Sequence, residues 1–502
     1  MRRLFLVVVA LFVVAVPYSL ARSGSSPATY YVSPSGSDAN PGTASAPWQT
    51  VSRVNRASLQ PGDSVLFQGG QIFSGTALMP PTSGTAQAPI VFGSYGTGRA
   101  KFTNTDNDVW IPSGGHDLVF ENLDLSGSSI LFASSASGPG TYDITIRDSI
   151  LHDTPQTALN MAQHSDHDWT ITRSTFRHIG DSGMIILGSN VSITHSTITD
   201  TGWNPAITWG KHGIYDKGED TTVAFNDFSD NANGQAVSVR MHGARIYGNT
   251  IHDTAYVIAF FDYDPTVGPQ GVDYVYNNRF WNLTGYGFYY SDQADPQGNP
   301  PTVSFVVASN TFEFAKSSEA VNVSEVPSGA AVTLANNVFT GSYGSAYRGC
   351  ATCREFNNDW FGGSSNVPSG KGDMHVNPVL AAAPSLAPPR TSPILAAGTA
   401  LVNGLSYKAA CDGGVLHYCG SSPAQGAVAT PSGLVTRVAA GTKKAGSAKL
   451  KKPSSAKPLP ARASGAARAR AGKIVYFTYK KKLKLHGLTL HFRPGRGYYY
   501  AA

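Results

Sequence analysis

Apolar and polar positions along this chain follow one repeated phrase between His116 and Phe339: an apolar residue, a second five places later, and in most copies a Ser or Asn two places before the second. The pairs are Phe120/Leu125, Ile146/Leu151, Ile171/Phe176, Ile193/Ile198, Val223/Phe228, Ile246/Ile251, Val275/Phe280, Val307/Phe312 and Leu334/Phe339. Two before each second member stand Leu123, then Ser149, Ser174 and Ser196, then Asn226, Asn249, Asn278, Asn310 and Asn337. Successive second members are 22 to 32 residues apart, too irregular for helical repeats but natural for coils with variable loops. The segments themselves alternate and are rich in Val, Ile, Phe, Tyr and Thr, as in 142–146, 191–194 and 274–276, which predicts strands.

An Asn at one position of each coil has a physical reason. Side-chain amides stacked at the strand spacing of about 4.8 Å can bond to one another along an axis and to the turn backbone. The apolar members stack likewise and fill an interior, so the pattern predicts an all-β parallel β-helix in which each coil covers its neighbour's edge. A sandwich or propeller gives no reason for Asn in register over five successive units. Further strands introduced by Gly are predicted at 183–187, 213–216, 234–240 and 287–290. Two insertions rich in Trp, Tyr, Pro and Asp, 201–211 and 263–271, interrupt the rhythm and are expected to wall a groove.

Composition adds a compartment. Arg2 and Arg3 precede an apolar run from Leu4 to Val16, and Ser19-Leu20-Ala21 offers small residues, so residues 1–21 read as a cleaved export signal. The run is shorter than the roughly 20 residues of a membrane span. The mature chain is therefore expected outside the cell, with no transmembrane segment, as a monomer. The four cysteines, Cys350, Cys353, Cys411 and Cys419, form two local pairs, which suits disulfides better than zinc in an exported protein. Net charge is +6, but 17 of the 38 Lys and Arg lie between Gly413 and Ala502, where there is no Asp or Glu. That leaves 21 basic against 32 acidic residues elsewhere, so the tail and not the body is the cationic part. The expected domains are a capped β-helix over 22–420, an Ala/Ser/Pro/Lys-rich linker over 421–472, and a basic tail over 473–502 that could pair as a hairpin.

Past the expected signal segment, the sequence runs through Thr29-Tyr30-Tyr31-Val32-Ser33-Pro34-Ser35-Gly36-Ser37-Asp38, continues through Asn40-Pro41-Gly42-Thr43 and Ala46-Pro47-Trp48-Gln49-Thr50, and reaches Pro61-Gly62-Asp63-Ser64-Val65-Leu66-Phe67. This stretch closely resembles the amino-terminal section of secreted bacterial right-handed parallel β-helix proteins, the pectate-lyase-like superfold. The resemblance spans roughly residues 29–430 and implies a right-handed solenoid with Val51 to Leu59 as a cap helix. Gly372 to Pro378, Thr391 to Ile394 and Gly398-Thr399 resemble the closing segment of the same proteins. The superfold carries lyases, hydrolases, epimerases and adhesins, so it implies no single activity.

Candidate chemistry comes from register. Lys217 lies six before Val223 and Arg240 six before Ile246, which predicts two cations on neighbouring rungs, about 5 Å apart at the backbone. Such a pair repels unless an anion joins it. Around it stand His212 and His242 as further catalytic candidates, Trp203, Trp209, Tyr215, Phe261 and Tyr289 as sugar-binding aromatics, and Asp216, Asp262 and Asp264 as hard-oxygen ligands should calcium be required. A groove of this kind suits an acidic polysaccharide, not nucleic acid. A lyase must neutralise a uronate carboxylate while a base removes the C5 proton. In the β-helix lyases that this chain resembles, that base is typically Lys or Arg, and Lys217 with Arg240 looks like that arrangement. A hydrolase would need two carboxylates across the cleft, for which Asp216 and Asp262 are the candidates. A rigid non-catalytic binding protein is the third reading, with the basic tail holding it to anionic wall polymer or glycan.

Overall fold

The computed structural model describes residues 26–208, 210–231, 234–262, 272–292, 304–326, 331–350, 352–403, 405–406, 424–427, 483–485 and 488–490. The expected signal segment, Cys411, Cys419 and all of the expected linker except residues 424–427 lie outside them. Among the described residues no helix is long and apolar enough to cross a membrane.

The chain winds as a right-handed parallel β-helix whose coils carry up to three strands each. First strands, from Thr29–Val32 to Arg354–Phe356, build a 13-stranded parallel sheet in which neighbours come from consecutive coils. Second and third strands assemble into a 21-stranded sheet. All nine first members of the sequence phrase, Phe120 to Leu334, pair rung to rung in one column. The nine second members, Leu125 to Phe339, form another, which Trp360 extends. These side chains are almost wholly buried and belong to one core running through the coils. Stacked rings of Phe280, Phe312, Phe339 and Trp360 continue that core, with centroids 4.4, 4.9 and 4.1 Å apart.

The Ser and Asn column is a hydrogen-bonded ladder. The backbone N–H of Ser149 donates to Ser174 Oγ, that of Ser174 to Ser196 Oγ, and that of Ser196 to Asn226 Oδ1. From Asn226 to Asn337 every side-chain amide donates to the next Asn and to the carbonyl of the preceding coil's first strand. The ladder continues through Asn358, which the sequence phrase did not include, and ends where the Asn358 N–H meets Asp373 Oδ1 at 2.9 Å. The residue just before each rung adopts the left-handed conformation, with φ between 49° and 66°, whatever its type: Arg173, His195, Phe225 and Ser309 as well as Asn and Gly248. That geometry turns the chain sharply between first and second strand; its cost of about 1 kcal/mol per residue is offset by the ladder.

Glycines before the third strands serve close packing. A Cβ at Gly213 would fall 2.5 Å from the Ala236 carbonyl oxygen of the next coil, and one at Gly183 would fall 2.6 Å from that of Gly213. The helix expected over Val51 to Leu59 is only the single turn Val51–Val54, capped by Thr50 Oγ1. Just past it, the Asn55 side chain pairs with the backbone of Ala77 and Met79.

Beyond Trp360, residues 370–374 add a last short rung, and the chain then returns along the outer corner of the solenoid. Asn336 exchanges hydrogen bonds with Thr399, Asn357 donates to Ala397, and Val402 packs on Val306, Ala308 and Ala335. A disulfide joins Cys350 to Cys353. A separate unit spans residues 437–502; in it Leu483–Leu485 pairs antiparallel with Leu488–Leu490.

Candidate functional site

The third strands position the expected site. Ile214, Val237, Ile258 and Phe288 point inward in one column, so alternation turns Tyr215, Ser238, Ala259 and Tyr289 outward. Asp216 pairs with Val239, and the Arg240 N–H donates to the Asp216 carbonyl at 2.8 Å, which places Lys217 beside Arg240 on neighbouring rungs. Phe261 follows on the next rung. The Arg240 guanidinium lies 3.8 Å from the Phe261 ring centroid and 5.3 Å from that of Tyr215, and Lys217 Nζ lies 5.5 Å from the same Tyr215 ring. Lys217 and Arg240 thus share the Tyr215 ring, a contact worth about 0.5–2 kcal/mol each. Tyr289 meets Phe261 edge-on at 6.2 Å.

His212 joins this cluster, its ring 5.0 Å from Tyr215. Burial, and secondarily the nearby Arg240 charge, push its pKa down to about 3, so the ring is neutral. Its Nδ1 accepts the Gln235 N–H at 3.2 Å; the proton therefore sits on Nε2, and His212 acts as a donor, not as a free base.

Other expected members sit elsewhere. Asp216 is turned inward, in parity with Ile214, and is 1% exposed; its Oδ1 accepts from the Gly218 N–H and the Thr221 hydroxyl. It is a turn-holding group inside the coil and cannot ligate a metal in the groove. Burial raises its pKa to about 7. His242 lies in the bend beyond Arg240, with its carbonyl accepting the Asp220 N–H. Trp203 stacks on His178 at 5.0 Å, and His178 in turn pairs with Asp200. This places the tryptophan at a corner after a second strand. Trp209, Asp264 and the Asp262 side chain lie outside the described residues. Among those described, no group of three or more His, Cys, Asp or Glu could hold a metal ion.

Sequence reasoning passed over Tyr256 and Tyr286. Tyr286 meets Tyr289 at a tilt, 5.2 Å between centroids, and Tyr256 stacks against Tyr286 at 5.9 Å, so the aromatic wall extends past Phe261. The run Tyr286-Gly287-Phe288-Tyr289-Tyr290 was the available signal.

Comparison with known proteins agrees on the architecture. The family described as right handed beta helix region matches residues 128–267, which contain Lys217, Arg240 and Phe261. The chain is a right-handed parallel β-helix protein. A structure of XylC in complex with xylose superposes with a TM-score of 0.51 at 10% identity, covering 70% of this chain and 87% of that one. Pectate lyase Pel9A gives a TM-score of 0.40 at 16% identity over 81% of this chain and 97% of its own. The polygalacturonase of Erwinia carotovora gives 0.44 at 12% identity over 66% and 97%. No curated protein matches by sequence.

Proposed function

We propose that the protein cleaves an acidic, uronate-containing polysaccharide by β-elimination at the Lys217, Tyr215, Arg240 and Phe261 cluster. The observation that carries this reading is the placement of Arg240 and Lys217 on neighbouring outward rungs, both against the Tyr215 ring. Arg240 supplies the positive charge that a uronate carboxylate needs as negative charge develops on it, held in place by Phe261. Lys217, one rung away, acts as the base in its deprotonated amine form and takes the C5 proton; the electron pair forms the C4–C5 double bond, the C4–O bond breaks, and the oxygen of the departing sugar takes a proton from water. His212 donates from Nε2 to the bound sugar, and Tyr289 and Tyr286 extend the apolar wall. Glycoside hydrolysis is disfavoured because Asp216, one of its two carboxylates, is inside the coil. Charge neutralisation is assigned to Arg240, with no calcium step. An exported protein whose basic tail tethers it to anionic polymer is consistent with such a substrate.

The test is ultraviolet absorbance of unsaturated uronate ends during incubation with polygalacturonate, alginate or chondroitin. Rising absorbance that Lys217→Ala abolishes supports the reading. Reducing ends without absorbance would indicate a hydrolase, binding without any product a non-catalytic protein, and activity lost to a chelator would move neutralisation to calcium.

A further inference from the structure

A second concave site lies on a different strand of the coils and shares no residue with the cluster above. On the outward side of the second strands, a cleft of about 530 Å³ is lined by Phe225, Asp227, His252, Arg279, Trp281 and Pro384, within the size range of small-ligand sites. Strand register stacks Asp227, Thr250 and Arg279 in one column and Ser229, His252 and Trp281 in the next but one along the strand. The His252 ring lies flat on Trp281, 4.5 Å between centroids and 4° between planes. Its Nδ1 is 2.5 Å from Asp253 Oδ2 and its Nε2 3.3 Å from Asp227 Oδ1. Arg279 donates to the Pro384 carbonyl and to Thr250 Oγ1, both at 3.1 Å, so the returning carboxy-terminal segment fixes the guanidinium at one end of the cleft.

Phe225 belongs to a row of rings on four successive coils. It stacks on His195 at 5.2 Å and meets Tyr247 edge-on at 5.4 Å, and Tyr247 stacks on Tyr276 at 5.0 Å. An aromatic strip along the axis therefore borders a cleft that offers acceptors and donors side by side. Asp227 is half exposed and would repel an anion, while Arg279 would repel a cation. Flat apolar edges with both hydrogen-bonding senses and no dominant charge suit an uncharged polyhydroxylated ring.

We propose that this cleft is a second carbohydrate site, which takes a neutral sugar unit of a glycan. Trp281 and Phe225 form its apolar walls, Asp227 accepts from sugar hydroxyls, and Arg279 donates to ring or hydroxyl oxygens. The site does not depend on the elimination chemistry and would hold a polymer whose composition is mixed.

Affinity electrophoresis of the full-length protein in gels containing xylan, galactan or mannan tests it, with polygalacturonate gels and oligolysine competition alongside. Retardation by at least one neutral glycan is expected, weakened about tenfold in Trp281→Ala and in Asp227→Asn and retained in Lys217→Ala. Trp281 packs on His252, so its removal can loosen the strand; Asp227→Asn is the variant whose thermal midpoint should match the parent. No retardation by any neutral glycan overturns the proposal, as does parental affinity in both variants. Retardation by polygalacturonate alone, or its loss to oligolysine, overturns it too.

Discussion

The side-chain carbonyl of Asn310 accepts two hydrogen bonds from Asn278, one from its backbone N–H at 2.9 Å and one from its side-chain amide at 3.0 Å. Asn278 repeats the relationship toward Asn249, so each rung is both donor to one neighbour and acceptor for the other. Replacing Asn278 with Ala strands the Asn249 N–H and the Ile246 carbonyl in a dry interior. Leaving buried polar groups unpaired costs about 1–3 kcal/mol each. A loss of about 3 kcal/mol in chemical denaturation is expected for Asn278→Ala, and less for Asn278→Ser, because Ser149, Ser174 and Ser196 show that a hydroxyl can accept at this position. Equal losses in the two variants would refute the acceptor role.

Phe312 sits between Phe280 and Phe339 in the ring stack of the core. Truncation to Ala opens a cavity against both neighbours and should cost about 3–5 kcal/mol, read as a fall in denaturation midpoint. A loss below about 1 kcal/mol would mean that the coils collapse to fill the space.

Asp216 gives stability a dependence on pH. Its folded-state pKa, raised to about 7 by burial, lies above the ordinary unfolded value of about 3.9. Between those two values the unfolded chain releases this proton and the folded chain keeps it, so its contribution to stability falls by up to about 1.4 kcal/mol per pH unit as pH rises through the window. Asp216→Asn keeps the acceptor that Gly218 and Thr221 use and removes the titration. The variant should be more stable than the parent at pH 8 and closer to it at pH 4; parallel curves would show that Asp216 does not carry the effect.

Arg240→Lys retains charge but not the planar group that lies on Phe261. If the guanidinium is the carboxylate clamp, this variant should bind polygalacturonate about tenfold more weakly, as KM or Kd, with thermal stability within a degree or two of the parent. Raising ionic strength should weaken parental binding as well, since the attraction is between charges that salt screens. Undiminished binding in Arg240→Lys would take the clamp role from it.

What the sequence by itself determined is the solenoid and its columns. A short period of apolar and amide residues can recur only if successive coils stack, and stacking carries register from each coil to the next, so Lys217 and Arg240 could be placed side by side from their offsets. The tertiary structure alone decided which face each side chain meets. Asp216 went inward because strand parity ties it to Ile214 once the rung opposite Val239 is fixed; Trp203 went to a corner stack on His178. The left-handed residue before every rung has no common side chain, because backbone geometry and not residue type is what the turn requires. The cleft at Trp281 is closed by a bond from Arg279 to Pro384, 105 residues along the chain, a contact that no local period encodes.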